Sequence, residues 1–262
     1  MTSIPSPRTA FMLNKVPEVA LIFWIIKIMA TTVGETGADY LAVHVGLGTT
    51  VTTAITMTLL VAALLGQLRM RAYVPWIYWL TVVLVSIVGT QITDILTDGL
   101  GVSLYLSTAV FTLLLAATFA IWYAGERTLS IHTIVTTRRE LFYWTAILFT
   151  FALGTAAGDL ATEALSLGFT VGVFAFGALI AAIAGAYYLG GNPVLTFWLA
   201  YILTRPLGAS FGDLLSQART YGGLGLGTVI TSIVFLTVIV SLVIYLSIGQ
   251  KDLRNPPAAE RI

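Results

Sequence analysis

The sequence contains no cysteine, two histidines and few charged residues, which make up 10% of its 262 positions. The absence of cysteine excludes disulfides and thiolate metal sites. A soluble domain of this length would carry about 25% charged residues. Hydrophobic residues instead make up 58% of the chain. This composition indicates an integral membrane protein, and the short polar lead before the first apolar run does not read as a cleaved signal peptide.

Long apolar runs dominate the sequence, and a bilayer-crossing helix needs about 20 such residues. They lack the alternation of a membrane β-barrel, so helices are expected. Eight spans are predicted, at 19–38, 47–66, 74–93, 102–124, 141–160, 167–189, 193–212 and 225–248. Arginine and lysine concentrate in the termini and in the second–third and fourth–fifth connections, whereas the opposite connections hold only Arg219. The positive-inside rule therefore predicts that both termini are cytoplasmic.

A fourfold internal repeat begins each odd-numbered span. An aromatic residue precedes a tryptophan, a glycine follows ten residues after the tryptophan, and an aspartate follows fifteen residues after it. The tryptophans are Trp24, Trp79, Trp144 and Trp198, the glycines Gly34, Gly89, Gly154 and Gly208, and the aspartates Asp39, Asp94, Asp159 and Asp213. Two spans per unit give all four units the same orientation. We therefore predict an all-α integral membrane protein of eight transmembrane helices in four parallel two-helix repeats, pseudo-fourfold about the membrane normal.

The repeat resembles a bacterial family of uncharacterized membrane proteins that are built from four tandem two-helix repeats, each with a conserved tryptophan. The likeness covers roughly residues 16–250 and rests on the four tryptophans with their glycine and aspartate companions. It implies the eight-helix fold and a bacterial inner-membrane location. The units read at about 19–71, 74–126, 139–190 and 193–248, within a single transmembrane domain. The family supplies no settled substrate.

Charged residues within the spans fall only on the odd-numbered helices. Because a charge in lipid costs at least about 2.5–3.5 kcal/mol, these residues should face the protein interior, with the odd helices inside and the even ones outside. The aspartates would lie at one depth, about 22 Å along the helix from the tryptophan. Glu35, Thr90 and Thr155 stand one turn before three of the aspartates and share their helical face. Asp98 and Glu163 follow two aspartates by four residues and are expected at an outer mouth.

This oxygen-rich, acidic set predicts a site for a hard cation. Carboxylate and hydroxyl oxygens suit Mn²⁺, Mg²⁺ and Ca²⁺. The predicted metal ligands are Glu35, Asp39, Asp94, Asp159 and Asp213, with Thr90 and Thr155 in support. Clustered carboxylates could instead relay protons. For a single aspartate, capping or headgroup contact is the competing interpretation.

Two basic residues in the odd helices are predicted charge partners or gating residues. Arg205 precedes Pro206 inside the seventh span, where proline can kink or break the helix. It could pair with a carboxylate or contact an anion. Lys27 lies one turn from Trp24, so it could also extend to the cytoplasmic interface.

The function predicted from the sequence is transport of a small inorganic cation, in particular a divalent metal such as manganese, with proton coupling. The metal would be a substrate, and no cofactor is expected. No nucleophile–base set or phosphate-binding loop is present, so neither an enzyme nor nucleic-acid binding is expected. The expected partners are the bilayer, the cation and a second copy in a homodimer, although one chain could suffice. Two alternatives stay open: a proton-coupled carrier of a small organic solute, and a structural or sensing membrane protein that transports nothing.

Overall fold

A computed structural model of the protein describes residues 14–40 and 48–254, without the side chains of Asp39, Glu163 and residues 251–254. Within these residues it contains eight long α-helices and no strand. The helices are α1 (Leu21–Asp39), α2 (Gly48–Arg69), α3 (Pro75–Asp94), α4 (Leu104–Glu126), α5 (Thr137–Asp159), α6 (Gly168–Tyr188), α7 (Pro193–Ser216) and α8 (Thr228–Arg254). All eight are long and apolar enough to cross a membrane. The protein is therefore a multi-pass helical membrane protein, as the sequence predicts.

Local sequence sets where several helices begin. Pro75 and Pro193 open α3 and α7, at the position where the missing N–H of proline costs nothing. The Asn192 side chain accepts hydrogen bonds from the backbone N–H groups of Val194 and Leu195. The side chain of Thr136 caps α5 in the same way. These caps satisfy N–H groups that have no partner inside the helix.

The odd-numbered helices lie inside and the even-numbered helices outside. In the apolar stretches of α1, α3, α5 and α7, 56–61% of residues are buried, against 6–28% in α2, α4, α6 and α8. The inner helices contact one another in the cyclic order α1, α3, α5, α7 and back to α1. Each outer helix packs on the inner helix of the next repeat: α2 on α3, α4 on α5, α6 on α7 and α8 on α1. The predicted placement of odd helices inside is confirmed.

The repeat glycines allow the inner helices to approach closely. Each glycine lies against the residue seven positions after the tryptophan of the next inner helix. A Cβ added at the glycine would come within 2.6 Å of that neighbour's side chain at all four junctions. The pairs are Gly34 with Ser86, Gly89 with Phe151, Gly154 with Arg205, and Gly208 with Thr31. Small residues therefore close the inner ring, by the backbone approach typical of membrane helices.

An aromatic belt closes the ring at its tryptophan end. The aromatic residue before each tryptophan contacts the tryptophan of the next repeat. The pairs are Phe23 with Trp79, Tyr78 with Trp144, Tyr143 with Trp198, and Phe197 with Trp24, with ring centroids 5.5–6.2 Å apart. The hydroxyls of Tyr78 and Tyr143 are hydrogen-bonded at 2.5 Å inside this belt. The belt packs the ends of the inner helices together.

The segment before α1 crosses the tryptophan end of the molecule. Lys15 is buried there, and its Nζ lies 2.5 Å from Glu140 Oε2 and 3.1 Å from the Leu68 carbonyl oxygen. Gln67 donates to the other oxygen of Glu140 at 3.1 Å. The backbone N–H of Lys15 also donates to the carbonyl of Ile134, which lies in the connection between α4 and α5. The segment thereby joins the end of α2 to the start of α5.

At the opposite end, inner helices change their winding directly after the repeat aspartate. The chain forms a π-helical turn at Ile95–Gly99 after α3 and another at Leu160–Ala164 after α5. Such turns are rare and occur often at functional sites. α7 does not change in this way and runs on to Ser216. It also continues through Pro206 without a break, and Gly154 and Gly158 of α5 lie close to the proline.

Candidate functional site

Arg205 places a guanidinium group at the centre of the inner ring. The side chain is fully buried, and it reaches all three of the other inner helices. Its Nη2 lies 2.7 Å from Glu35 Oε2 on α1 and 2.8 Å from Thr155 Oγ1 on α5, and it also contacts Thr90 Oγ1 on α3. Its Nη1 lies 3.5 Å from the Thr31 carbonyl oxygen. One side chain of α7 therefore links the whole ring.

The two threonine hydroxyls are oriented as acceptors for this group. Thr90 donates its hydroxyl proton to the Ser86 carbonyl at 3.2 Å, and Thr155 donates to the Phe151 carbonyl at 3.1 Å. Both bonds run to the residue four positions earlier in the same helix, a common use of threonine in helices. The oxygen lone pairs are then left for a positive group at the centre of the ring. The same oxygens would suit a hard metal cation.

Gly154 gives the arginine its path to the centre. An added Cβ at Gly154 would lie 2.4 Å from Arg205 Cγ and 2.5 Å from its Cβ. Only glycine lets α5 sit this close to the arginine stem. The long side chain then crosses from the α5–α7 junction to Glu35 on α1.

The pair formed by Arg205 and Glu35 is costly to bury. Their side chains are 0% and 11% exposed. Desolvating two charges can cancel their attraction, and apolar residues of similar volume often stabilise such a position as well or better. Arg205 Nε is also buried and has no hydrogen-bond partner in the part of the chain that the structure describes. Stability alone does not account for a charged pair at this place, and charges inside a membrane protein typically mark function.

Lys27 places a second basic side chain inside the bundle, on the tryptophan side of Arg205. It is fully buried, so of the two roles considered for it, extension to the cytoplasmic interface does not occur. Its Nζ lies 4.0 Å from the ring centroid of Phe151 and 4.3 Å from that of Tyr201. These two rings from α5 and α7 hold it by cation–π contact, away from the interface. Among the described residues its Nζ has no hydrogen-bond acceptor.

Phe151 is shared by both cations, since the Arg205 guanidinium carbon lies 6.0 Å from the same ring centroid. Along the axis of the inner ring, the three groups follow one another in the order Lys27, Arg205, Glu35. Their repeat positions are three, seven and eleven residues after the tryptophan. One helical turn, about 6 Å, separates each step.

The aspartates occupy the end of the ring beyond Glu35. Asp213 is buried, and Asp94 and Asp159 are partly buried. The Asp39 side chain lies outside the described residues, as does that of Glu163. Asp98 is exposed in the π-helical turn after α3 and accepts a hydrogen bond from Thr97 at 3.2 Å. The structure thus brings Glu35, Thr90 and Thr155 together around Arg205.

The described side chains contain no group of three or more aspartate, glutamate or histidine residues placed to share a metal ion. This finding leaves Asp39 aside, so the five-carboxylate metal site stays a prediction. The cation that Glu35 holds in this arrangement is the guanidinium of Arg205.

Comparison with known protein families identifies a family match over most of the chain. A model described as a repeat of unknown function, DUF347, matches it four times, at residues 22–73, 77–128, 142–191 and 196–252. The chain belongs to the DUF347 repeat family. The four matches confirm the expected membership of an uncharacterized family with four tandem repeats. No curated protein and no solved structure matches the chain.

Within each DUF347 repeat, the position seven residues after the tryptophan carries a signal that the motif analysis missed. It holds Thr31, Ser86, Phe151 and Arg205, the residues that contact the glycines of the preceding repeat. Aligning the repeats on their tryptophans would have shown that three of these residues are uncharged and one is an arginine. That contrast marks the fourth repeat as the one that differs at the centre of the ring.

Proposed function

We propose that this protein is a transporter of a small inorganic cation and that Glu35 is the central carboxylate of its path. A divalent metal such as manganese is the first substrate to test, with protons as the coupling ion. The supporting observation is the place of Arg205. A positive group already lies at the centre of the inner ring, held by oxygens from three other helices. Those oxygens are the ligand types that hard cations require.

In the proposed mechanism, Arg205 competes with the transported cation for Glu35. The two positive charges repel each other at a shared carboxylate, so a cation that arrives at Glu35 favours departure of the guanidinium. Glu35 alone balances a single charge. A divalent ion therefore needs further carboxylates, which Asp39 and its three counterparts would supply one turn away. Lys27 adds a positive charge on the tryptophan side and would oppose leakage of cations in that direction.

The path runs along the axis of the inner ring, which we take to be a pseudo-fourfold axis along the membrane normal. We propose that the tryptophan end and both termini lie in the cytoplasm of a bacterial cell, with the protein in its inner membrane, because the basic residues concentrate in the connections at that end. The aspartate end then faces outward. A cation would meet the aspartates before Glu35.

A structural or sensing role is the second candidate. It is favoured by the close packing at the four glycine contacts, which leaves little freedom between inner helices. A carrier of organic solutes has less support, because the rings of the aromatic belt pack against one another. A flux measurement separates transport from the structural role.

The test is uptake of Mn²⁺, Mg²⁺ and Ca²⁺ into proteoliposomes that contain the full chain. We expect flux of at least one of these cations in the wild type. In Glu35→Gln and Asp39→Asn it should fall at least about tenfold, because losing one carboxylate ligand costs more than the 1.4 kcal/mol that equals a factor of ten. Glu18→Gln, an exposed change before α1, is the matched control and should leave flux unchanged. Wild-type flux no faster than that of empty liposomes, or equal flux in all variants, would rule out the proposal.

A further inference from the structure

An open groove lies on the outside of the bundle between α4 and α7. Its volume is about 650 Å³, and it extends from the tryptophan end toward the middle of the membrane. The apolar walls include Leu115, Ala116 and Phe119 from α4 and Leu199 and Ile202 from α7. Because α4 packs on α5 while α6 covers α7, none of the described outer helices fills the space between α4 and α7.

The groove is positively charged at one end only. Arg127, Thr128 and Asn192 line it at the tryptophan end. Arg127 ends α4 in the left-handed conformation, with φ of 56°. Its side chain is exposed and makes no ion pair with any described residue, while the neighbouring Glu126 is taken by Arg138 and Arg139. An unneutralised guanidinium therefore stands at the mouth of an apolar groove.

The dimensions of the groove match one lipid chain in one leaflet. Thr112 on α4 and Arg127, directly after α4, both line the groove and are 15 positions apart, or about 22 Å at 1.5 Å per residue. Half of a bilayer, from its middle to the outer edge of the headgroup region, is about 20–22 Å. A molecule with an anionic head at Arg127 and an acyl chain beside Leu115 would fill this length.

We propose that this groove is a binding site for an anionic phospholipid. The headgroup phosphate would accept hydrogen bonds from Arg127, and one acyl chain would lie against Ala116, Phe119 and Ile202. The arrangement is charge-complementary, with the positive group at the depth of the headgroups. The site is separate from the Arg205 centre and does not depend on the transport proposal.

A second groove provides a control within the same chain. It has a volume of about 620 Å³ and lies between α6 and the start of α1, and residues at the start of α7 also line it. One repeat further round the ring, it corresponds to the first groove. Its walls include Ala184, and Glu18 lines its mouth, whereas no arginine of the described residues does. An anionic headgroup should therefore prefer the first groove.

The experiment is a lipid titration of the purified full chain, read by native mass spectrometry. The probes are phosphatidylglycerol and phosphatidylcholine with identical acyl chains. We expect the wild type to bind phosphatidylglycerol about fivefold more tightly, the fold-change that corresponds to about 1 kcal/mol for one basic residue at an anionic surface. Arg127→Gln should abolish this preference, and Ala116→Phe should weaken binding of both lipids by filling the groove.

Two matched variants serve as controls. Arg138→Gln removes an equal charge at the same end of the molecule but outside the groove, and Ala184→Phe fills the second groove. Both should keep the preference for phosphatidylglycerol. Equal loss in Arg138→Gln and Arg127→Gln would indicate general surface charge and overturn the proposal. Unchanged binding in Ala116→Phe, or a loss of phosphatidylglycerol in Ala184→Phe as large as in Ala116→Phe, would also overturn it.

Discussion

Replacing Arg205 by methionine should lower the free energy of unfolding by about 3–5 kcal/mol, the usual cost of removing one partner of a buried ion pair. Methionine fills most of the volume but leaves Glu35 buried without its cation. It also removes the bonds that join α7 to Thr90 and Thr155. Thermal unfolding in detergent, followed by the fluorescence of the six tryptophans, measures the change.

A double variant distinguishes loss of the charge pair from loss of packing. In Glu35→Gln with Arg205→Met neither charge of the pair remains, so we expect most of the stability to return. Arg138→Met is the control. Its side chain is 65% exposed and shares Glu126 with Arg139, so its effect should stay within about 0.5 kcal/mol. A double variant no more stable than Arg205→Met would contradict a buried pair at the centre of the ring.

Changing Gly154 to alanine should destabilise the protein by about 1–3 kcal/mol, the usual cost of overpacking, and should change the rate of cation flux. The added methyl group would lie 2.4 Å from Arg205 Cγ. Either α5 and α7 separate or the arginine stem shifts, and both movements take the guanidinium away from Glu35. Stability is measured by thermal unfolding, and transport by cation flux in proteoliposomes.

Gly185 on α6 offers the matched control, because beyond its own stretch of helix no heavy atom of a described residue lies within 4 Å of a Cβ added there. The change Gly185→Ala should be neutral or stabilise by up to about 1 kcal/mol, since alanine favours the helix over glycine. Equal effects at Gly154 and Gly185 would show that the close contact with Arg205 does not matter.

Much of the fold follows from the sequence because membrane helices have few alternatives. Apolar length predicts the eight spans, and the cost of charge in lipid places the odd helices inside. The repeat of tryptophan, glycine and aspartate predicts equivalent helices that approach closely. Depth along the membrane also follows, since Glu35, Thr90 and Thr155 occupy one repeat position and meet at one level of the ring.

The occupant of the centre could not be predicted in the same way. A repeat position gives the height of a residue, whereas the reach of a long side chain across the ring depends on which helix stands opposite. Arg205 starts at the α5–α7 junction yet ends at Glu35 on α1. Lys27 is enclosed by rings from two other helices, so its burial depends on the same information. The contact of Lys15 with Glu140 lies outside the repeats and has no counterpart to reveal it.

The measurement that tests the central claim most directly is an experimental density map of the full chain in lipid, recorded without and with Mn²⁺. Without the metal, density for the Arg205 side chain should join Glu35, Thr90 and Thr155 at the centre of the four inner helices. With the metal, new density should appear between Glu35 and the aspartates, and the guanidinium should have left Glu35. An Arg205 side chain that points away from Glu35 in the first map would contradict the account, as would a pair unchanged at saturating Mn²⁺.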